Sequence, residues 1–165
     1  MSDIKLKDMT DDQLVLLKDQ IDKELEKSEK NVWDLEEGNE YWFTNSVLGV
    51  HKDKRKHRAI DKWRRGSGSI FFTKEAAKKE AKRRLAITKV NKRIDELNDG
   101  WEPDWENTNQ SKYMIYYVYS QDEFDIWNYR STKDEIVLNY MESSYLAEQI
   151  IDEMEDELRI IFDVD

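Results

Sequence analysis

Apolar residues near the N-terminus recur at intervals of three and four, which is the period of a helix that is apolar on one side. These residues are Leu14, Leu17, Ile21 and Leu25. Thr10 and Gln13 form a capping-box pair before this stripe, and Asn31 is the predicted stop. The stripe packs either on the rest of the chain or on a second copy. We favour a second copy, and therefore a homodimer, because residues 31–40 are polar enough to let the helix stand away from the body.

The next segment is rich in aromatic and β-branched residues and predicts strands. Residues 38–50 read GNEYWFTNSVLGV, which is typical of a hairpin, here with its turn near Asn45 and Ser46. Residues 51–69 are strongly polar, and we expect them to form a mobile connection.

A short strand and a long helix follow this connection. Ile70–Phe72 is the predicted strand, and the Thr73 hydroxyl is placed to cap the helix after it. Residues 74–98 contain neither Pro nor Gly, and their apolar positions form a stripe that drifts around the helix axis. We therefore predict one unbroken helix of about 25 residues.

The C-terminal part of the chain begins with an alternating pattern. Tyr113–Tyr119 has the period of two that is expected of a strand with both faces at least partly covered. Two more strands are predicted at Phe124–Tyr129 and Ile136–Tyr140. Ser143 or Ser144 then caps a final amphipathic helix.

These elements predict an α+β fold with an N-terminal helix followed by two strand-rich units, each closed by a helix. We expect an amphipathic helix over 1–32, a basic strand-helix unit over 33–99 and an acidic strand-helix unit over 100–165. The two closing helices also suggest an internal duplication with a period of 70 residues. The matching positions are Thr73, Ala77 and Ala81, against Ser143, Ala147 and Ile151.

The composition favours a folded protein with an aromatic core. Charged residues make up 39% of the chain, but 6 Trp, 8 Tyr and 5 Phe supply bulky apolar material. We expect Trp42, Phe71, Tyr113, Ile115 and Ile150 to be mostly buried. No apolar run approaches the roughly 20 residues that cross a bilayer, and the first residues lack the apolar centre of a signal peptide. We therefore expect a soluble, cytoplasmic protein that has no membrane contact.

The net charge of -10 is distributed unevenly along the chain. Residues 1–50 carry 6 Lys or Arg against 13 Asp or Glu, residues 51–93 carry 17 against 4, and residues 94–165 carry 4 against 20. The middle segment has a net charge of +13 and the last one of -16. Either the basic segment is neutralised by the acidic ones, or it binds a polyanion.

The basic segment is the main candidate for binding nucleic acid or a partner. Its candidate residues are Lys52, Lys54, Arg55, Lys56, Arg58, Lys62, Trp63, Arg64, Arg65, Lys78, Lys82 and Arg83. Trp63 either stacks on a base or anchors the segment in the core, and we favour the core. The candidate residues for contact with a basic partner are Asp122, Glu123, Asp125, Asp152, Glu153, Glu155 and Asp156.

The sequence contains no motif that indicates catalysis. The absence of Cys excludes disulfides, a thiol nucleophile and thiolate zinc sites. The acidic clusters at 102–106 and 122–125 are interpreted as solvated loop carboxylates, since the nuclease pattern that would begin at Pro103 and Asp104 fails at Gln110. His51 and His57 lie among cations that repel a metal ion. Gly66–Ser69 lacks the Gly-Lys-Ser/Thr of a phosphate loop. We therefore expect no enzyme activity, no metal and no cofactor.

Four segments carry a resemblance to a known group of proteins. They are MTDDQL, GNEYWF, GSGSIFFTKEAAKKEAKRR and WENTNQSKYMIYYVYSQDEFDI, followed by the capped final helix. In these segments the chain resembles small phage and prophage accessory proteins of low-GC Gram-positive bacteria, which have no agreed activity. Proteins of this kind often inhibit host machinery or defence systems, and they include anti-CRISPR proteins.

Two functions of different classes follow from this pattern. The leading hypothesis is a non-enzymatic phage inhibitor of a host or defence nucleoprotein, whose basic segment contacts RNA or DNA while its acidic part mimics nucleic acid. The alternative is a structural or assembly protein with internally paired charges, helix-mediated dimerisation and no bound nucleic acid.

Overall fold

A computed structural model describes residues 10–29, 32–131 and 137–164, without the side chains of 22–29. The described chain has an α+β fold with four α-helices and two small antiparallel sheets. It divides into two compact units. Unit 1 comprises Val50–Ala77 with the described residues up to Asn45, and unit 2 comprises Ser46–Gly49 with the described residues from Lys78 onward. None of the described helices is long and apolar enough to cross a membrane.

Helix α1 spans Asp11–Glu29, and its predicted capping box is confirmed. The Thr10 amide donates to Gln13 Oε1 at 2.9 Å, and the Gln13 amide donates to Thr10 Oγ1 at 3.4 Å. Leu14 and Ile21 of the apolar stripe are exposed and Leu17 is half-buried. The Leu25 side chain and the predicted stop at Asn31 lie outside the described residues.

Unit 1 contains a three-stranded sheet. Its strands are β1 Glu40–Thr44, β2 Val50–Lys54 and β3 Ile70–Phe71, with β1 in the centre and both pairings antiparallel. Trp42 lies opposite Lys52 on one side and Phe71 on the other. The hairpin connection covers residues 45–49, so it is longer than the predicted turn.

The prediction that residues 51–69 form a mobile connection is wrong. Strand β2 continues to Lys54, and helix α2 occupies Ala59–Gly66. Strand β2 lies at the sheet edge, so backbone pairing with β1 holds it without an alternating apolar pattern. Helix α2 is anchored by buried polar groups, which apolar periodicity does not reveal.

Helix α3 spans Lys74–Asn98 without interruption, as predicted. The Thr73 hydroxyl accepts a hydrogen bond from the Ala76 amide at 3.1 Å, which satisfies one of the amides that the first turn leaves unpaired. Within unit 2, Ala86, Val90 and Ile94 of this helix belong to the main apolar core.

Unit 2 also contains a two-stranded sheet. Strands β4 Lys112–Val118 and β5 Glu123–Tyr129 pair antiparallel, and Asp122 occupies a left-handed conformation (φ 57°) in the turn between them. The third strand predicted at Ile136–Tyr140 is wrong for the described residues 137–140, because only an isolated bridge joins Met141 to Tyr113. The Asn139 amide donates instead to the Asn91 side chain at 2.8 Å, so a side chain replaces the strand partner.

Helix α4 spans Ser144–Phe162 and begins at the predicted cap, since Ser143 Oγ accepts from the Leu146 amide at 3.3 Å. The helix is kinked at Met154. The predicted core residues are confirmed: Ile115 and Ile150 are buried, and Trp42, Phe71 and Tyr113 are half-buried.

Candidate polyanion-binding site

A buried carboxylate anchors helix α2 in unit 1. Asp61 is 4% exposed and accepts from the Tyr41 hydroxyl at 2.7 Å and from Arg58 Nη2 at 3.0 Å. The amides of Lys56 and Arg58 donate to its other oxygen at 3.1 and 3.0 Å. Burial alone would raise the pKa of Asp61, but these hydrogen bonds outweigh it and hold the pKa well below its usual range.

Arg58 and Arg64, two of the predicted nucleic-acid contacts, form part of this same network. Arg58 Nη2 and Arg64 Nη1 each lie 2.8 Å from Asp53 Oδ2. Arg64 also donates to the Tyr41 hydroxyl at 2.9 Å and lies 3.5 Å from the centre of the Phe43 ring. Both guanidinium groups therefore hold unit 1 together.

Other basic residues of the same segment line a small cleft, which we call the basic cleft. Arg55, His57, Lys62 and Arg65 surround a cavity of about 20 Å³, and Leu35, Tyr41, Asp61 and Ile70 complete its walls. The cavity has room for about one water molecule, so an anion would bind at its mouth.

The cations of the basic cleft have few intramolecular partners. Within the described chain, Arg55 and Lys62 form no ion pair. Arg65 donates to the Trp33 carbonyl at 3.1 Å and stacks on the Trp33 ring, with 5.2 Å between its Cζ and the ring centre. His57 Nε2 lies 3.7 Å from a Glu37 oxygen. Arg55 and Lys62 of the basic cleft therefore carry positive charge that no ion pair within the described residues neutralises.

Trp63 lies next to the basic cleft on helix α2, and the interpretation that it packs in the core is wrong. Its side chain is 63% exposed, while Asp61 and Arg64 take the inward positions of the helix. Ile60, three residues earlier, shares its exposed side. The exposed indole is a platform on which a base can stack.

The remaining unit 1 candidates lie at the sheet edge and before α2. Lys52 and Lys54 of β2 pair with Glu40 of β1, at 2.5 and 3.7 Å. Lys56 is exposed and forms no ion pair within the described residues. The basic cleft and Lys56 are therefore the main cationic surface of unit 1.

The cations of helix α3 are largely paired within unit 2. Lys79 lies 2.6 Å from Asp163, Lys89 lies 2.9 Å from Glu157, and Arg93 lies 2.7 Å from Glu153. The hydrogen bonds from Arg93 and Gln149 lower the pKa of Glu153 to about 2. Arg83 donates to the Ile161 carbonyl at 3.1 Å. Lys78 and Lys82 are exposed and form no ion pair among the described residues.

The charge segregation along the sequence is therefore weaker in the folded chain. Counted from the sequence, residues 78–165 carry 12 Lys or Arg against 21 Asp or Glu, a net charge of -9 for unit 2. Residues 50–77 of unit 1 carry 9 against 3, a net charge of +6, whereas residues 1–45 of that unit carry 6 against 13, so unit 1 as a whole has a net charge of -1. The cations of α3 thus offset acidic residues of their own unit, and the remaining basic surface lies in residues 50–77 of unit 1.

The candidate acidic residues fall into two groups. In the sheet, Asp122 accepts from the Tyr117 hydroxyl and Asp125 from the Tyr116 hydroxyl, and Glu123 is exposed. On α4, Glu153 pairs with Arg93 and Glu155 with Arg159, while Asp152 and Asp156 are exposed and without an ion pair in the described chain.

Sequence reasoning missed the polar residues that position the basic cleft. Tyr41 and Asp61 are buried, and Asp53 is the shared partner of Arg58 and Arg64. The available signal was the presence of two aspartates in an otherwise basic stretch. His57 was considered only as a metal ligand, and within the described residues no three His, Asp or Glu side chains form a group that could hold a metal ion.

Comparison with known proteins adds no assignment: no family model matches the sequence, and neither a characterised protein nor a solved structure shows significant similarity to it.

Proposed function

We propose that this protein is a non-enzymatic, phage-encoded inhibitor that binds a host or defence nucleoprotein in the bacterial cytoplasm, for example an RNA-guided nuclease. The observation that carries the proposal is the difference between the two sets of cations. Three cations of α3 pair with carboxylates of residues 153–163, whereas Arg55 and Lys62 of the basic cleft form no ion pair within the described chain. Unpaired cations beside an exposed aromatic ring are typical of surfaces that bind nucleic acid.

The basic cleft would contact phosphate, and Trp63 would contact a base. Two arginines supply paired N–H donors that match phosphate oxygens, and Lys62 adds a point charge. Trp63 follows Lys62 on the helix, about 100° further round the axis, so both are available to one strand of nucleic acid. None of these contacts distinguishes one base from another, so the proposal is for backbone and stacking contacts.

The acidic part of the proposed interface lies on α4. Asp152 and Asp156 are exposed on either side of the kink at Met154, and unit 2 has a net charge of -9. A surface of this sign attracts the basic groove in which a nucleoprotein holds its nucleic acid. A target made of both protein and nucleic acid is therefore the partner that both surfaces fit.

We expect Arg55→Gln with Lys62→Gln to weaken binding to single-stranded RNA and to reduce its salt dependence. Each lost phosphate contact removes about 0.7 from the slope of log K against log salt, so the double variant should lose about 1.4. Fluorescence anisotropy with a labelled 20-residue RNA, over a range of KCl concentrations, measures this slope.

The matched control is Lys79→Gln with Lys89→Gln, which removes the same charge from cations that pair with Asp163 and Glu157. Its slope should remain close to that of the parent. If both double variants lose the same slope, the effect is one of net charge and the basic cleft has no special role. The inhibitory function is tested by adding each protein to assembled RNA-guided nucleases and measuring cleavage of target DNA, which the cleft variant should inhibit less.

A structural or assembly role remains the second candidate, because two ion pairs join α3 to α4, a third joins α3 to Asp163 directly after α4, and α1 exposes apolar side chains. In this alternative the charged residues stabilise the fold through ion pairs, and α1 joins two copies of the chain. The internal duplication that the sequence suggests favours neither function.

We expect Leu17→Glu with Ile21→Glu to convert a dimer into a monomer, because both residues lie on the apolar stripe of α1. Sedimentation velocity measures the mass directly. The control is Asp12→Lys with Asp19→Lys, which alters the charge of α1 but not its apolar stripe. A parent chain that already sediments as a monomer at about 100 μM would rule out the α1 dimer.

We also propose that the passage from strand to helix at α3 and the one at α4 are duplicates of one arrangement. Before α3, Phe71 of the third strand pairs with Trp42 of the first. Before α4, Met141 bridges to Tyr113 of β4. Phe71 and Met141 are 70 residues apart, and each is followed two residues later by the hydroxyl that caps a helix. These shared pairings support the duplication, but Lys78–Asn98 of α3 belongs to unit 2, so the duplicated halves do not coincide with the two compact units.

A further inference from the structure

Strand β5 carries a row of acidic and aromatic side chains on its outer face. Ile115, Tyr117, Phe124 and Ile126 occupy the other face of the sheet and belong to or pack against the core of unit 2. The alternate residues of β5 therefore face outward, and they are Glu123, Asp125, Trp127 and Tyr129. Trp127 is 53% exposed. A large exposed ring in a strand next to carboxylates has no role in the core.

The carboxylate beside this ring is held in position. Tyr116, which lies opposite Asp125 on β4, donates its hydroxyl to Asp125 Oδ2 at 2.5 Å. The Ile126 amide donates to Asp125 Oδ1 at 2.7 Å. The Tyr116 bond and this amide bond lower the pKa of Asp125, so the group is ionised at neutral pH. Each oxygen still has a lone pair for a further donor.

The ring is held in position as well. Tyr116 meets Trp127 edge to face, with 6.2 Å between the ring centres and 78° between the planes. Tyr129 lies on its other side, with 6.5 Å between centres. Two neighbours restrain the indole while more than half of the side chain stays exposed. Asp125 and Trp127 are two residues apart on one strand, which separates them by about 6.7 Å.

This spacing suits a guanidinium group, which is planar, stacks on an aromatic ring and donates to a carboxylate beside it. An ammonium group can bond to the carboxylate, but it has no flat face to stack. The strand also offers backbone groups, because β5 pairs with β4 on one side and with no other strand in the described part of the chain. An extended segment at this edge would place alternate side chains over the row.

We propose that the outer face of β5 is a docking surface for an extended, arginine-bearing segment of a partner protein, with Trp127 and Asp125 as the pair that binds one guanidinium group. Charge complementarity selects this occupant, because Asp125 lies beside the ring and Glu123 follows on the same face, in a unit with a net charge of -9. Outward charges on an edge strand also discourage nonspecific pairing, but that role requires no exposed, restrained tryptophan. The inference rests on the proposed function insofar as the partner is a protein with a basic surface.

The test uses the full chain and fluorescein-labelled eight-residue peptides in which Arg or Lys alternates with Thr, at physiological salt. We expect the Arg peptide to bind more tightly than the Lys peptide. Trp127→Leu keeps apolar bulk without a ring face and should weaken the Arg peptide about fivefold. Asp125→Asn should weaken it about threefold. Amide spectra recorded for each variant establish that the sheet is retained.

Two matched controls separate this surface from general effects. Tyr145→Leu removes another exposed aromatic ring, on α4, and Glu148→Gln removes one negative charge from the same helix. Both should bind the Arg peptide as the parent does. The proposal is overturned if Arg and Lys peptides bind equally, if Trp127→Leu binds like the parent, or if Glu148→Gln loses as much as Asp125→Asn.

The same variants distinguish this proposal from the proposed function. If the Arg peptide binds through Trp127 while the protein inhibits no nucleoprotein, the docking surface stands and the inhibitory function fails. If inhibition is found, and Trp127→Leu changes neither the inhibition nor the binding of the Arg peptide, the proposal of a docking surface fails and the proposed function stands.

Discussion

Replacing Asp61 with asparagine is expected to lower the free energy of unfolding of unit 1 by about 3 kcal/mol. The carboxylate accepts from Tyr41, from Arg58 and from two backbone amides while almost completely buried. Asparagine has only one accepting oxygen, and its NH₂ group would face donors. Amide hydrogen exchange in β1 and α2 measures the loss, which corresponds to an increase of about 150-fold in opening.

The effect of Asp61→Asn should depend on pH in a defined direction. The pKa of Asp61 is lowered in the folded chain, so the carboxylate stabilises the fold at pH values above its unfolded value of about 3.9. The difference between parent and variant should therefore be complete near pH 7 and shrink as the pH falls below about 4. Asp34→Asn, at an exposed residue of unit 1, is the control. It should change neither the free energy of unfolding nor its dependence on pH. A difference that grows towards acid pH would contradict the assignment of Asp61 as an ionised anchor.

Replacing Lys112 with methionine should lower the free energy of unfolding of unit 2 by about 2–4 kcal/mol. Lys112 is fully buried, and its Nζ donates to the carbonyls of Asn107, Gln110 and Arg130 at 3.1, 2.9 and 3.0 Å. It also lies 5.1 Å from the centre of the Trp105 ring. Methionine fills similar space but leaves three carbonyls without their donor. Chemical denaturation followed by Trp fluorescence, with amide exchange in residues 101–118, measures this loss.

The control for Lys112→Met is Lys78→Met, which makes the same change at an exposed residue of unit 2. It should alter the free energy of unfolding by less than about 0.5 kcal/mol. Equal effects at the two positions would mean that the buried ammonium group does not organise the loop that precedes β4.

Patterns of local chemistry predicted the regular elements that depend on them. The capping pairs at Thr10 and Ser143, the uninterrupted α3 and the alternating β4 all have causes within a few residues of themselves. Two segments were predicted wrongly, and both depend on contacts with other parts of the chain. Strand β2 depends on its pairing with β1, and the segment before Met141 depends on the side chain of Asn91, which is distant in sequence.

The candidate site also contains features that local sequence predicts and features that depend on contacts distant in sequence. The sequence identified the basic stretch that supplies Arg55, Lys62 and Arg65, but it treated Arg58 and Arg64 as equivalent to them. Only the fold brings Asp53, Asp61 and Tyr41 against those two arginines, and it thereby commits them to unit 1. Trp63 was misassigned for a related reason, because polar anchors turn the opposite side of α2 inward.

The sequence by itself determined the α+β class, the extent of α3, the starts of α1 and α4 and the uneven charge, because propensity, capping and composition act locally or by simple addition. The tertiary structure decided which charges remain available for binding. Lys79, Lys89 and Arg93 pair with carboxylates that are 60 to 84 positions away along the chain, whereas Arg55 and Lys62 form no ion pair among the described residues. An ion pair depends on distance in space, and a charge count along the chain contains no information about that distance.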